Sequence, residues 1–117
     1  TLPTELGLLS NSLETIFLRL TNRQGTLPTE YGRLTKLVSL DLSTNPNLTG
    51  TVPSEYGGMT NLKFMKLIAT ALSGTVGPEI CSLDLHFLEA DCSALEKNFG
   101  VTEIECECCT HCYMAPQ

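Results

Sequence analysis

Tryptophan is absent from this chain, histidine occurs twice, and lysine and arginine total 7 against 13 aspartates and glutamates. The few basic residues are dispersed without forming a block. With a net charge of −6 and a pI near 4.7, nucleic acid and anionic lipid are poor candidates for the main partner. No run approaches the ~20 apolar residues needed to span a bilayer, so this stretch of chain carries no sign of direct membrane insertion. Neither His86 nor His111 stands in a nucleophile or metalloprotease motif, and no glycine-rich phosphate loop precedes a long helix. Glu89 and Asp91 fall two residues apart on an expected strand. A glycosidase pair needs a cleft and carboxyls ~5–9.5 Å apart, which an open surface does not supply. The expectation is therefore no catalytic residue, no cofactor and no resident metal. Cysteine is also missing until Cys81, so whatever folds the first two thirds does so without disulfides.

What is present is a period. Gly25-Thr26-Leu27-Pro28-Thr29-Glu30-Tyr31-Gly32 returns as Gly50-Thr51-Val52-Pro53-Ser54-Glu55-Tyr56-Gly57. Leu2-Pro3-Thr4-Glu5-Leu6-Gly7 is an upstream copy and Gly74-Thr75-Val76-Gly77-Pro78-Glu79-Ile80 a degraded downstream one. Between them runs a second register: Leu13, Ile16, Leu18; Leu37, Leu40, Leu42; Leu62, Met65, Leu67; Leu85, Leu88, Ala90. Alternation within each L-x-L predicts a short strand, and the same strand in every coil predicts a parallel sheet along one flank. Each proline fixes its own φ and lacks an N–H, so it suits the opening of a helical or 3₁₀ turn on the other flank. Gly32 and Gly57 are expected to free the chain to leave that turn. The fold class is an α/β solenoid.

Period and spacing resemble the leucine-rich repeat, whose units run ~20–29 residues. The further element Leu48-Thr49-Gly50-Thr51-Val52-Pro53, with Leu72-Ser73-Gly74-Thr75-Val76, resembles the plant-type LxGxIP class of receptor-kinase ectodomains and polygalacturonase-inhibiting proteins. Residues 1–92 read as about four such repeats, the first truncated, and 93–117 as a Cys-rich C-terminal cap. The family usually places an Asn three residues beyond the L-x-L, bonding backbone in the turn. Only Asn45 fits; Thr21, Thr70 and Ser93 stand at the equivalent positions and can make fewer bonds. An extra residue falls near Pro46-Asn47. The chain begins at Thr1 inside a repeat, and Leu2, Leu6, Leu8 and Leu9 would leave apolar surface at that end. Further upstream repeats or a neighbouring chain are expected to cover it.

The six cysteines, Cys81, Cys92, Cys106, Cys108, Cys109 and Cys112, crowd into the C-terminal third. An even count beside a repeat array reads as a disulfide-closed cap in an extracellular or cell-surface protein. Sequence does not choose the pairing, though adjacent Cys108 and Cys109 would point apart and pair elsewhere, and bridges back to Cys81 and Cys92 would tie the tail over the last coil. The competing reading is a metal site in Cys106 to Cys112 with His111 as a nitrogen ligand, but the paired spacing of a structural zinc site is missing. Glu103, Glu105 and Glu107 alternate as on a solvated strand face; a calcium site needs more converging oxygens. The cap resembles those of extracellular leucine-rich repeat proteins of diatoms and related algae. Asn47-Leu48-Thr49 is a glycosylation sequon in a turn.

Binding is the remaining function. Residues between the core leucines face outward on the sheet: Thr15, Phe17 and Arg19; Ser39, Asp41 and Ser43; Phe64, Lys66 and Ile68; Phe87, Glu89 and Asp91. Stacked about 4.8 Å apart, Phe64 and Phe87 share one column, and Phe17, Asp41, Lys66 and Glu89 the next. Exposed aromatics there are candidate hot spots, though upstream repeats or the cap would cover some, and Asp41, Lys66 and Glu89 would neutralise one another. The expected ligand-binding face is Phe17, Arg19, Asp41, Phe64, Lys66, Ile68, Phe87 and Glu89, and the expected partner is protein or glycan. Two other roles fit: a building block of an extracellular wall, mucilage or filament assembly, and a secreted enzyme inhibitor of the polygalacturonase-inhibitor type.

Overall fold

The structure, a computed structural model, describes residues 2–9, 12–92 and 104–112. Ser93 and Glu103 lie outside these residues, so of the tail's alternating glutamates only Glu105 and Glu107 are described. Strands β1 (Thr15–Phe17), β3 (Ser39–Asp41), β5 (Phe64–Leu67), β7 (Phe87–Ala90) and β9 (His111–Cys112) form a parallel sheet in that order. A second parallel sheet, which the apolar spacing does not predict, joins β2 (Gln24–Gly25), β4 (Asn45–Thr51), β6 (Thr70–Thr75) and β8 (Ile104–Glu105). It runs through the L-x-G-T segments, so each coil has two strands and one turn. The pairing of β4 with β6 shifts register between Asn45 and Thr49, the stretch that holds the extra residue of the second coil.

The other flank carries 3₁₀ turns at Thr4–Leu8, Thr29–Arg33 and Ser54–Gly58, each entered from a proline with φ of −70, −67 and −64°. In the last coil Pro78 instead opens a single α-turn, α1 (Pro78–Cys81). Leu37, Leu40, Leu42, Leu62, Met65, Leu67, Leu88 and Ala90 fill the space between the flanks, all buried. Each large one contributes ~1.5–3 kcal/mol of transfer free energy, so the L-x-x-L-x-L register is the main source of cohesion along the stack.

Two polar devices lock neighbouring coils. Asn45 is fully buried; its amide donates to the carbonyls of Leu18 (2.8 Å), Leu42 (2.9 Å) and Ser43 (3.2 Å), and its Oδ1 accepts from the Arg23 N–H (3.0 Å) and the Thr21 hydroxyl (3.2 Å). Thr70 donates its hydroxyl to Leu67 O, and the single Thr21 hydroxyl is shared between Leu18 O (2.7 Å) and Asn45 Oδ1. The shortfall beside Thr70 is met from the next coil: the Asp91 carboxylate accepts from the N–H groups of Ala69 (3.1 Å) and Thr70 (3.2 Å). Asp91 is therefore a turn cap and not part of the outward face.

The second device is a tyrosine ladder. Tyr31 and Tyr56 are buried, their rings stacked 6.4 Å apart, and each hydroxyl donates at 2.8 Å to the proline carbonyl one coil back, Pro3 and Pro28. Burial is the main cause that pushes Tyr31 up to about 12 and Tyr56 further still.

Gly32 and Gly57 do not have the left-handed backbone expected of chain-reversing glycines; that conformation belongs to Gly25, Gly50 and Gly74. They are contact glycines. A Cβ on Gly32 would lie 2.3 Å from Glu55 O, and one on Gly57 2.9 Å from both Glu79 O and its Cβ. Cys81 occupies the corresponding place in the last coil, where a disulfide takes over from stacking.

Candidate functional site

Register sets the outward columns of the five-stranded sheet. Ser39, Phe64 and Phe87 align in one, and Phe17, Asp41, Lys66, Glu89 and His111 in the next. Phe17 is 67% exposed and Phe64 38%. Between them lies a shallow depression of about 110 Å³ lined by Phe17, Ser39, Leu40, Asp41, Phe64 and Lys66. The His86 ring meets Phe64 edge-on, centroids 6.0 Å apart, which limits the rotamers open to Phe64.

Phe87 differs from the other two. His111 stacks on its ring at 4.2 Å and 20°, and Lys66 Nζ stands 5.7 Å from its centroid. The ring is half-buried by the cap, and Lys66 engages it without a carboxylate pair among the described residues. Beyond it a second depression, about 210 Å³, is lined by Ile68, Glu89, His111 and Cys112. Arg19 is exposed past the end of β1. Among the described residues, the expected face therefore divides into an open half at Phe17 and Phe64 and a cap-covered half at Phe87.

Asp41 departs from expectation. It is buried at 9% exposure, because its carboxylate folds along the sheet to accept the Ser43 N–H at 3.0 Å while Phe17 and Lys66 flank it. It forms the floor of the open depression and is not a projecting charge. Ser43, also expected outward, is buried at 2%. His111 and His86 were not anticipated on this face. His111 sits there because β9 pairs with β7 one residue before Cys112, so the signal available was the alternation of His111 and Cys112 beside a bridge to Cys92.

The tail is stitched on by Cys81–Cys108, Cys92–Cys112 and Cys106–Cys109. Sulfurs held this way offer no thiolates, so the metal reading of Cys106 to Cys112 does not apply to the oxidised cap. Thr110 anchors the same segment: its hydroxyl accepts from Leu88 N–H at 2.8 Å and its N–H donates to Leu88 O at 3.0 Å. Glu105 lies in β8 and accepts from the Thr75 hydroxyl at 3.2 Å. Asn47 is exposed on β4, its amide 3.5 Å from Asn22 Oδ1. At the first coil Leu8 and Leu20 are exposed at 78% and 70% and Leu9 at 45%, whereas Leu2, expected to be open, is buried at 3%. No helix among the described residues is long and apolar enough to cross a membrane.

No protein-family model matches the chain, and no curated protein matches its sequence. Solved structures do. A plant peptide hormone receptor, RGFR1, in complex with RGF2 superposes with a TM-score of 0.64 at 29% identity over 90% of this chain. The leucine-rich repeat ectodomain of the receptor kinase SOBIR1 from Arabidopsis thaliana gives 0.65 at 25% identity over 75%. A TDR receptor gives 0.63 at 41% identity over 73%. The chain spans 14%, 47% and 15% of those three chains respectively. Its fold is that of a leucine-rich repeat protein, the fold also found in these plant receptor ectodomains.

Proposed function

We propose that this chain is a non-catalytic, extracellular recognition module that binds an extended peptide or protein segment across the sheet face, centred on the depression between Phe17 and Phe64. The carrying observation is that depression: two exposed aromatic rings over a floor of Leu40, Ser39 and the buried Asp41, with Lys66 at the rim. Aromatic anchors around a partly desolvated hollow are where binding energy concentrates. Parallel strands of equal register also give a ligand a repeating column to follow. RGFR1, a peptide hormone receptor solved with RGF2, supports the reading by likeness. Three disulfides and the exposed Asn47 sequon support an extracellular setting with a glycan at Asn47.

The probe for this reading is a displayed library of random peptides selected on the folded protein, with an oligosaccharide array in parallel. Selected peptides should lose tenfold or more in affinity, about 1.4 kcal/mol, in Phe17→Ala and in Phe64→Ala, and keep it in Arg33→Ala on the opposite flank. Peptides that bind all three variants equally, or binding confined to the oligosaccharides, would overturn it.

A structural role is favoured by one observation, the exposed Leu8, Leu9 and Leu20 at the first coil, a surface suited to a further coil or a neighbouring chain. Sedimentation separates the two readings: concentration-dependent association abolished by Leu8→Glu and Leu20→Glu supports a stacking block, and a monomer at every concentration rejects it.

A further inference from the structure

We infer that the cap contains a reaction site for thiols, in which opening Cys106–Cys109 transfers the break to Cys92–Cys112. The Sγ atoms of Cys92, Cys109 and Cys112 all lie within 4.8 Å of one another, so two disulfides that are separate in sequence share one cluster of sulfur. The fold has unequal stakes in them. Cys106–Cys109 spans 3 residues, whereas Cys92–Cys112 spans 20 and Cys81–Cys108 spans 27. A bridge that closes so short a loop removes little freedom from the unfolded chain. The cap therefore stays folded when Cys106–Cys109 opens, and Cys109 remains beside the other bridge.

The chemistry balances with an external dithiol as reductant. The dithiol attacks Cys106–Cys109 and leaves as its cyclic disulfide, delivering two electrons and leaving thiols at Cys106 and Cys109. Cys109 loses its proton to solvent, and the thiolate attacks Cys92 Sγ. The Cys92–Sγ to Cys112–Sγ bond breaks as Cys92–Cys109 forms, and the Cys112 thiolate departs and takes a proton. Cys112 is the better leaving group because it is exposed to water while Cys92 is 2% exposed. The product holds Cys92–Cys109, with free thiols at Cys106 and Cys112.

The exchange has a consequence on the sheet. Cys112 pins β9, and β9 holds His111 over the Phe87 ring. Releasing Cys112 leaves β9 held by Thr110 and its pairing with β7, so His111 covers Phe87 less firmly and the two halves of the face are less separated. That consequence rests on the reading of the face as the binding site; the exchange itself does not.

The test is disulfide mapping of the intact, oxidised chain after one equivalent of dithiothreitol without oxygen, followed by alkylation and peptide analysis. Labels at Cys106 and Cys112 with a Cys92–Cys109 bridge are expected, growing as pH rises. Labels confined to Cys106 and Cys109, or placed first on Cys81 and Cys108, would overturn the proposal. Cys106→Ser supplies the attacking thiol with no reductant and should show the same bridge on its own. Should that variant fail to fold, the titration of the unaltered chain still decides, and its readout involves no ligand.

Discussion

Replacing Asn45 by alanine should destabilise the stack more than any other single polar substitution in the repeats. The side chain is fully buried and makes five hydrogen bonds, three as donor to the carbonyls of Leu18, Leu42 and Ser43 and two as acceptor from Arg23 N–H and the Thr21 hydroxyl. Alanine strands those backbone groups away from water. An unsatisfied buried group costs ~1–3 kcal/mol, and Thr21 still donates to Leu18 O, so the sum falls at about 3–5 kcal/mol rather than at the full total of the five. That is a large part of the ~5–15 kcal/mol that holds a domain together. Asn45→Asp keeps the volume and the acceptor but turns the donor into an anionic oxygen facing three carbonyls, so it should cost at least as much as alanine. Thr21→Ala, at an exposed hydroxyl, should cost about 0.5–1 kcal/mol. Urea unfolding followed by circular dichroism measures all three. An Asn45→Ala protein within about 1 kcal/mol of the unaltered chain would refute the assignment of Asn45 as the lock between the first two coils.

Gly32→Ala should cost about 1–3 kcal/mol or more by overpacking, because its Cβ would fall 2.3 Å from Glu55 O; a neutral melting point would show that the turns do not stack this closely. Burial raises the Tyr31 pKa to about 12 above its ordinary value of 10.0, so its stabilising effect is complete below about 10 and drains away as pH climbs toward 12. Tyr56 shifts in the same direction, and unfolding should accompany tyrosinate formation in an alkaline ultraviolet titration. Tyr31→Phe should reduce that pH dependence and leave the part due to Tyr56, and a flat profile in the unaltered chain would contradict it. Paired Cys81→Ser and Cys108→Ser changes should cost ~2–4 kcal/mol, measured by the fall in melting temperature.

Much of this architecture was legible in the sequence, for a physical reason. Leu40, Met65 and Leu88 repeat at one strand position, and burial of that column admits only one register, so both sheet columns could be written down from spacing. The sequence carried less on three points. Gly32 and Gly57 look like any turn glycine, and only the stacked Glu55 and Glu79 backbones show that their missing Cβ is the feature that matters. Alternation alone projects Asp41 outward; a hydrogen bond to its near neighbour Ser43 pulls it down, and such local bonds compete with simple strand geometry. Alternation also projects Asp91 outward, and nothing in its own coil shows that the turn of the preceding coil lacks an Asn and needs a carboxylate. The second sheet was missed because Gly50 and Gly74 interrupt the apolar alternation that marks a strand. His111 reaches the face through the pairing of β9 with β7, beside the Cys92–Cys112 bridge that spacing alone does not choose.

The most direct test of the central claim is a hydrogen-exchange footprint of a library-selected peptide on the intact chain. Protection should gather in Thr15–Phe17, Ser39–Asp41 and Phe64–Leu67, the three strands that frame the open depression. Protection confined to the turns Thr29–Arg33 and Ser54–Gly58 would place the ligand on the opposite flank and contradict the account.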